Sequence, residues 1–299
     1  MGIPQPPPLG VSALRPGAFE GTGVVVTGGG TGLGRAISVE FARLGADVAI
    51  LSRKQEHLEA GLAALKEFPG IGFAGSCDIR DPEQISAALD AVEAAFGRRP
   101  RVLVNNAAAN FPAPAEDLSP NAWRTVVDIT LNGTFFCARE FARRHLAAGT
   151  PATVINVGAS YAWTGGPGFA HSAAAKAGVK NLTESLAVEW GPYGITVNGL
   201  VPGMFPHQDM TADIQQNLSR AHDKDNRQPV GRVGQPHELG WAATYLASPY
   251  AGFINGHTLV VDGANWQRRT LTNEPVVPVR EQMGRGPFTV NPPAPRPSS

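Results

Sequence analysis

Short apolar runs alternate with helical stretches along most of the chain, and this alternation constrains the fold more than any other feature. Strand-like runs occupy residues 22–27, 47–51, 71–77, 102–105, 152–157, 195–200 and 258–261. Stretches with helical spacing occupy residues 32–44, 54–68, 82–96, 131–148, 172–190 and 236–246. Strands that alternate with helices are joined by right-handed crossovers into a parallel sheet that is covered on both faces. The pattern therefore predicts one doubly wound α/β domain over residues 17–266, with a seven-stranded parallel sheet in the order 3-2-1-4-5-6-7.

Three segments fall outside this alternation. The two ends, residues 1–16 and 267–299, are rich in proline and carry no periodic apolar pattern, so we expect irregular arms. Residues 203–230 form the longest irregular stretch inside the domain and follow the sixth strand. Because insertions near the carboxyl ends of such strands often cover a ligand, we expect a substrate lid there.

A glycine-rich turn joins the first strand to the first helix. Residues 27–34 read TGGGTGLG, and a strand precedes them while a helix follows. Backbone N–H groups in such a turn can approach a pyrophosphate at the positive end of the helix dipole. This context predicts a nucleotide-binding Rossmann domain. The candidate contacts in the turn are Gly28, Gly30, Thr31, Gly32, Leu33 and Gly34.

The end of the second strand indicates which dinucleotide is bound. An acidic residue there would hydrogen-bond the ribose 2′-hydroxyl of NAD and repel a 2′-phosphate. The chain instead carries Ser52, Arg53 and Lys54 at this position. An arginine can bind the phosphate through a forked, charge-assisted contact. We therefore predict NADP(H) as the cofactor, against the alternative of a solvated basic pair that begins a helix.

The TGxxxGxG spacing of the turn resembles the short-chain dehydrogenase/reductase family. The resemblance covers about residues 20–265 and includes the NNAA motif at 105–108, Asn132, Lys176 and the Pro202-Gly203 pair. It implies that Asp78 contacts the adenine. The other cofactor contacts that it implies are Ile79, Asn106, Ala107, Lys176, Pro202, Gly203, Met204 and Phe205.

The catalytic residues depart from the usual set of that family, which is Asn, Ser, Tyr and Lys. Ser172 stands four residues before Lys176, where the tyrosine is usual, and Ala159 stands where the serine is usual. A serine hydroxyl has no acidity near neutral pH and cannot replace a phenol as a proton donor. The available phenol is Tyr161, in the loop after the fifth strand.

This arrangement resembles the NADPH-dependent 2,4-dienoyl-CoA reductases of the mitochondrial and peroxisomal type. The motifs that carry it are NNAAANF at 105–111, LSPNAW at 118–123, LNGT at 131–134 and AVEWG at 187–191. The resemblance implies reduction of a 2,4-dienoyl-CoA to a 3-enoyl-CoA, with hydride delivered to C5. It implies that Tyr161 and Asn110 bind the thioester oxygen, that Lys176 holds the nicotinamide ribose and that Ser172 is a secondary polar contact. Asn132 would support the site, and the residues that would contact the acyl-CoA are Arg53, Arg80, Phe111 and Ser119.

Other interpretations remain open at the level of the sequence. Tyr161 could be a loop aromatic that packs on Trp163, and Asn110 could be a turn residue. His171 beside Ser172 could serve as an acid, although a buried or exposed structural histidine is the simpler interpretation. The protein could instead be a carbonyl reductase or alcohol dehydrogenase on another substrate, such as a polycyclic acyl-CoA, or an inactive nucleotide-binding sensor or scaffold.

Composition argues against several other functions. The 25 basic and 25 acidic residues cancel, so no global field attracts nucleic acid or an anionic membrane. No apolar run approaches the roughly 18 residues that a membrane span needs. The two cysteines, Cys77 and Cys137, fit buried thiols of a cytoplasmic protein, and no metal site is predicted. Relatives of the resembled family form homotetramers through helices equivalent to 131–148 and 172–190, so we expect a homo-oligomer.

Overall fold

Seven parallel strands form the centre of the molecule in a computed structural model that describes residues 3–207, 209–210, 228–267 and 279–286. The strands follow the order β3-β2-β1-β4-β5-β6-β7, which confirms the predicted topology. Their bounds are β1 Gly23–Thr27, β2 Asp47–Ser52, β3 Gly72–Ser76, β4 Val102–Asn105, β5 Ala152–Val157, β6 Ile195–Pro202 and β7 Thr258–Val261. Each lies within two residues of its predicted limits.

Helices cover both faces of the sheet. Their bounds are α1 Gly32–Arg43, α2 Gln55–Leu65, α3 Pro82–Phe96, α4 Pro120–Val127, α5 Gly133–Ala148, α6 Tyr161–Thr164, α7 Ala170–Trp190, α8 Pro236–Ala247 and α9 Val279–Gln282. The sequence pattern did not predict α4, α6 or α9. A short π-helical segment, Asp128–Asn132, joins α4 to α5, so the predicted helix over 131–148 begins inside that segment.

The core has two layers because the sheet is buried on both sides. In β1 the side chain of Val25 belongs to the cluster under α3, α5 and α7, while Val24 and Val26 belong to the cluster under α1, α2 and α8. All three are fully buried. Such continuous burial is typical of a parallel strand with helices on either side. It leaves the carboxyl edge of the sheet as the place where polar side chains can gather.

The chain order reverses between β1 and β4, and this reversal places a crevice at the carboxyl edge. Thr27, the last residue of β1, pairs with Asn105, the last residue of β4, and Asn105 pairs in turn with Asn156 of β5. Ligands of doubly wound sheets bind at such a switch point. The glycine turn after β1 and the loops after β4 and β5 therefore converge there.

The described parts of the two arms, residues 3–16 and 279–286, contact the domain. Residues 3–16 contain no helix or strand, but side chains of the segment that leads into and forms α8 hold their carbonyl groups. Arg232 Nε donates to Pro4 O at 3.1 Å, His237 Nε2 lies 3.1 Å from Pro7 O, and Trp241 Nε1 donates to Val11 O at 2.9 Å. The C-terminal tail is not wholly irregular, because it contains α9.

The predicted lid is only partly visible. Of residues 203–230, position 208 and positions 211–227 lie outside the described residues, and the described remainder contains no helix or strand. In the described part of the chain, no helix is long and apolar enough to span a membrane.

Both cysteines are buried and form no disulfide, as predicted. Burial raises the pKa of the Cys77 thiol to about 11, and burial also raises the pKa of Cys137. A thiol reacts as its thiolate, so neither residue is a nucleophile at neutral pH.

Candidate active site

The glycine turn is tied to the end of β4. The side-chain amide of Asn106 donates to Thr27 O at 3.0 Å and to Gly28 O at 3.2 Å. The hydroxyl of Thr27 accepts from the backbone N–H of Asn106 at 3.0 Å and of Ala107 at 3.1 Å. Asn106 and Ala107, both predicted cofactor contacts, thus also fix the shape of the turn.

Two glycines are required in the turn by close approach of other atoms. A Cβ on Gly30 would lie 1.9 Å from the carbonyl oxygen of His57, and a Cβ on Gly34 would lie 2.3 Å from that of Gly28. Contacts this short cannot be relieved without moving backbone. The first turn of α1 therefore approaches its neighbours closely, and the absence of side chains leaves its N–H groups accessible to a ligand.

An anionic group already lies at the beginning of α1. Asp209 Oδ2 accepts from the backbone N–H of Gly32 at 2.7 Å and from Arg35 Nη2 at 2.8 Å. The side chain of Thr31, the N-cap residue, makes no capping hydrogen bond. The contact to Gly32 demonstrates that this helix end accepts a negative partner, which is the property that pyrophosphate binding needs. A phosphate that used the same N–H group would replace the carboxylate.

Basic residues surround the crevice at the end of β2. The Arg53 side chain is 49 % exposed, and its Nη1 lies 3.7 Å from Asp78 Oδ2. Arg80 donates two hydrogen bonds to the same carboxylate, from Nη2 to Oδ2 at 2.5 Å and from Nε to Oδ1 at 3.0 Å. The hydrogen bonds from Arg80 lower the pKa of Asp78 to about 2. Two guanidinium groups therefore share one carboxylate, and the positive charge that is left over suits a phosphate.

The remaining residues of this predicted cofactor set differ in exposure. The hydroxyl of Ser52 accepts from the backbone N–H of Lys54 at 3.3 Å, and Lys54 is exposed. Ile79 is buried beneath Gly133. Leu33 is half-buried against the core.

The segment after β6 extends the edge of the sheet. The N–H of Gly203 donates to Val261 O at 2.9 Å, and Met204 O accepts from Gly234 N at 2.9 Å. Phe205 is 4 % exposed and belongs to the core, so only its backbone is available to a cofactor. Pro202 ends β6 at the same edge.

The hydroxyl of Tyr161 lies next to Ser172, the residue at the helix position that usually carries a tyrosine in the resembled family. Tyr161 begins α6, and its hydroxyl is 3.0 Å from Ser172 Oγ on α7. Its ring is nearly parallel to that of Phe169, with centroids 6.4 Å apart. Burial raises the pKa of Tyr161 and outweighs the opposing hydrogen bond to Ser172, so the phenol is protonated at neutral pH. Trp163 stacks on Trp266, so the ring contact that the structure shows for Tyr161 is with Phe169 rather than with Trp163.

Lys176 lies one turn after Ser172 on α7 and is almost completely buried. Its Nζ donates to Val157 O at 2.5 Å, at the end of β5. Burial lowers the pKa of Lys176 from 10.5 to about 8. At neutral pH the amine is therefore still charged, but only by a small margin.

The two predicted asparagines lie in different surroundings. Asn132 ends the π-helical segment, and its amide donates to Asp128 Oδ1 at 2.8 Å rather than to Tyr161 or Lys176. Asn110 is exposed after β4, and within the described residues its side chain makes no hydrogen bond. Asn132 is thus engaged inside its own helix, whereas the amide of Asn110 is available to a ligand.

The predicted acyl-CoA contacts lie along the loop after β4. The ring of Phe111 meets His171 edge-on, with centroids 4.6 Å apart. His171 is fully buried, and its Nδ1 accepts from the Ser172 N–H at 2.9 Å, so it is a structural histidine rather than an exposed acid. Ser119 caps α4 by accepting from Ala122 N at 3.1 Å. Phe111 and Ser119 therefore both lie in the loop between β4 and α4, while Arg80 binds Asp78 on the cofactor side.

The sequence alone missed two features of this region. Asp209 at the beginning of α1 lay inside the predicted lid, where no pattern gave it a role. The sequence also did not indicate that α9 lies beside the loop after β4, where Arg280 and Arg285 pair with Asp117. Among the described residues, no three His, Cys, Asp or Glu side chains gather as a metal ion would require.

Comparison with known proteins decides the family. Residues 28–264 match the family model described as "Enoyl-(Acyl carrier protein) reductase", a model of short-chain dehydrogenases/reductases. The chain belongs to the short-chain dehydrogenase/reductase family. The match includes the glycine turn, the loop that carries Tyr161 and the helix that carries Lys176. The chain is thus an oxidoreductase of that family, as predicted from the motifs.

Two relatives within the short-chain dehydrogenase/reductase family are named as 2,4-dienoyl-CoA reductases. A Bacillus subtilis protein named "Probable 2,4-dienoyl-CoA reductase [(2E)-enoyl-CoA-producing]" is 39 % identical over 249 residues, which cover 83 % of this chain and 98 % of that protein. A Rattus norvegicus protein named "Peroxisomal 2,4-dienoyl-CoA reductase [(3E)-enoyl-CoA-producing]" is 36 % identical over 254 residues, which cover 83 % of this chain and 84 % of that one.

Solved structures of the family agree with the fold. A short chain dehydrogenase from Bacillus anthracis has a TM-score of 0.74 and 40 % identity, covering 82 % of this chain and 96 % of its own. A gluconate 5-dehydrogenase from Burkholderia cenocepacia in complex with NADP and tartrate has a TM-score of 0.75 and 30 % identity, covering 84 % and 97 %. The NADP in the second of these structures supports a nicotinamide cofactor for the fold.

Proposed function

We propose that this protein reduces 2,4-dienoyl-CoA thioesters to 3-enoyl-CoA with NADPH. The observation that carries the proposal is the 3.0 Å contact between the Tyr161 hydroxyl and Ser172 Oγ, one helical turn before Lys176. The hydroxyl of Tyr161, from the loop after β5, thereby lies beside the position where the family usually has its catalytic tyrosine. Relatives named 2,4-dienoyl-CoA reductases support the same chemistry.

NADPH, when bound, supplies the hydride that adds to C5 of the diene. The residues that would hold its phosphates fit an anionic ligand. The backbone N–H of Gly32 at the beginning of α1 already donates to the carboxylate of Asp209. Arg53 is half-exposed beside Asp78, whose carboxylate is already bound by Arg80. β2 ends in Ser52, at the position where an acidic residue would repel a 2′-phosphate, and Arg53 and Lys54 follow directly.

Tyr161 and Asn110 act on the oxygen of the thioester. As the diene is reduced, negative charge moves onto this oxygen, and hydrogen-bond donors stabilise it most strongly where water is excluded. The protonated, half-buried phenol of Tyr161 is one donor, and the exposed amide of Asn110 is the other. A proton added to the α carbon then completes the 3-enoyl product.

Lys176 adds positive charge beneath this site. Its charged form is anchored to Val157 O at 2.5 Å, and a ribose hydroxyl of the cofactor is a suitable second acceptor. Since no substrate hydroxyl has to be deprotonated, the chain does not need a tyrosinate. This explains how Ser172 can occupy the usual tyrosine position without loss of the reaction.

The proposal is tested by NADPH oxidation with 2,4-hexadienoyl-CoA. We expect turnover by the wild type and a loss of kcat by about 10²- to 10³-fold in Tyr161→Phe, as for removal of one oxyanion donor. Tyr193→Phe is the matched control, because Tyr193 is an exposed phenol beyond the C-terminal end of α7, whereas Ser172 lies in the first turn of that helix. Absence of turnover by the wild type across short and long dienoyl-CoA substrates would refute the proposal.

The position of the product double bond is a separate part of the test. Protonation at the α carbon gives the 3-enoyl product, whereas protonation at the γ carbon gives the 2-enoyl product. The names of the two relatives differ on this point. Proton NMR of the product formed in deuterated water identifies which carbon receives the solvent proton, and we expect the α carbon.

We also propose that the protein is a homo-oligomer, in line with the expected tetramer. Phe135 and Leu146 on α5 and Val188 on α7 expose apolar side chains on the two helices predicted to form the interface. Light scattering after size exclusion tests this, and Val188→Asp should reduce the assembled mass. A monomeric wild type would contradict the proposal.

A further inference from the structure

The C-terminal segment, residues 279–286, packs against the loop that precedes α7. Val279 and Met283 are one helical turn apart and face Gly168. A Cβ on Gly168 would lie 2.7 Å from Met283 Cε and 3.5 Å from Val279 Cγ1. The backbone of Gly168 also has a φ of +79°, which a side chain would disfavour. The loop therefore accommodates the Met283 side chain only because this position is glycine.

Ion pairs fix the same segment to the loop after β4. Arg280 Nη1 lies 2.8 Å from Asp117 Oδ1, and Arg285 Nη1 lies 2.5 Å from Asp117 Oδ2. Glu116 adds a longer contact to Arg280 at 3.5 Å. One carboxylate thus binds two guanidinium groups on either side of Met283. The segment is held at both of its ends.

The two loops that carry the segment also frame the candidate active site. Gly168 O accepts from Ala113 N at 2.8 Å, which joins one loop to the other. Phe169, the next residue, stacks beside the Tyr161 ring, and Phe111, two residues before Ala113, packs on His171. The apolar face of α9 is therefore one residue away from the aromatic that flanks the phenol.

Resting on the proposed function, we propose that Met283 determines which acyl chains the site accepts. Its side chain, supported by Val279, forms a wall that ends the acyl part of the substrate site and so limits the length of the acyl chain, and Asp117 is a positioning residue that holds this wall in place. An acyl tail needs an apolar neighbour, and the unbranched thioether of methionine fits irregular apolar surfaces well. The phosphates of CoA do not fit this part of the segment, because its basic residues, Arg280 and Arg285, are already paired with Asp117 and Glu116.

The experiment compares kcat/KM for 2,4-dienoyl-CoA substrates of six, ten and fourteen carbons. In Met283→Ala we expect the ratio of the fourteen-carbon to the six-carbon substrate to rise on the order of tenfold, as when a few methylenes of a pocket are removed. Asp117→Asn should move the ratio in the same direction. Glu281→Gln is the matched control, because Glu281 is exposed in the same segment. If every chain length changes by one common factor, or by none, the proposal is wrong.

Two further measurements separate this proposal from the proposed function. Trypsin cleaves after Arg280 and Arg285, so cleavage should be slow in the wild type and faster in Asp117→Asn if the segment is held as described. Where the wild type reduces no dienoyl-CoA, the proposed function fails, and calorimetric Kd values for saturated six- and fourteen-carbon acyl-CoA decide the role of Met283. A ratio of these Kd values that Met283→Ala leaves unchanged overturns it.

Discussion

Replacement of Lys176 by methionine should make the protein more stable at neutral pH while it removes activity. Burial lowers the pKa of Lys176 from 10.5 to about 8, and this difference corresponds to about 3 kcal/mol of lost stability while the amine is charged in both states. The methionine leaves Val157 O without its donor, which costs about 1 kcal/mol. The net expectation is a gain of about 2 kcal/mol in the free energy of unfolding at pH 7.

The sign of this effect changes with pH in a defined way. Because the folded state has the lower pKa, charging Lys176 disfavours folding, and the penalty is complete below about pH 8. The penalty declines as pH rises from about 8 towards 10.5, where the unfolded amine also loses its proton. The advantage of Lys176→Met should therefore shrink over this range, and above it only the lost hydrogen bond remains.

Urea unfolding of cofactor-free protein at pH 7 and pH 10 measures both values. Lys180→Met is the matched control, since Lys180 lies one turn further along α7 and pairs with Glu184 at the surface. This variant should show a small difference that hardly depends on pH. If Lys176→Met is less stable than the wild type at pH 7, or if its difference is the same at both pH values, the burial argument is incorrect.

Three further outcomes are expected. Arg53→Ala should weaken NADPH binding by at least tenfold in a fluorescence titration, because the 2′-phosphate loses the guanidinium group that binds it. NADH has no 2′-phosphate, so its binding should be nearly unchanged, and an equal loss for both cofactors would contradict this. Gly30→Ala should lower the free energy of unfolding by about 3 kcal/mol or more, since the added carbon overlaps His57 O, and a neutral result in urea unfolding would show that the turn yields. Trp241→Phe should cost about 1 kcal/mol and speed proteolysis within residues 3–12, because the indole N–H bond to Val11 O is removed, and unchanged cleavage would argue that the arm is held by other contacts.

The strands and the glycine turn could be predicted because their signals are local. Apolar runs give the buried strands within two residues, and the alternation with helices gives the strand order. Counting from Lys176 also identified Tyr161 as the available phenol. Its contact with Ser172 could not be derived in this way, since it depends on how α6 folds back on α7. The helix α4 was missed because its Ser119-Pro120 start follows a proline-rich loop without an apolar period.

Contacts between distant parts of the chain were not predictable. Asp209 reaches Gly32 across 177 residues, and Arg280 reaches Asp117 across 163. Single side-chain contacts of this kind leave no periodic pattern in the sequence, because they depend on where the tertiary fold brings two distant segments together. Asn132 shows a related limit: its position in the sequence matches the family, but the π-helical segment directs its amide to Asp128.

The way in which the N-terminal arm is held has a consequence for its evolution. The three hydrogen bonds from α8 and the segment before it use carbonyl oxygens of Pro4, Pro7 and Val11, which every amino acid possesses, whereas the groups that hold them are particular side chains, Arg232 and Trp241 among them. Drift in the arm is therefore tolerated as long as the chain stays extended, and proline achieves this without any specific neighbour. Selection should instead preserve the side chains that hold the arm. Among homologues we expect the sequence of the arm to vary and the contacting side chains of α8 and the segment before it to be conserved.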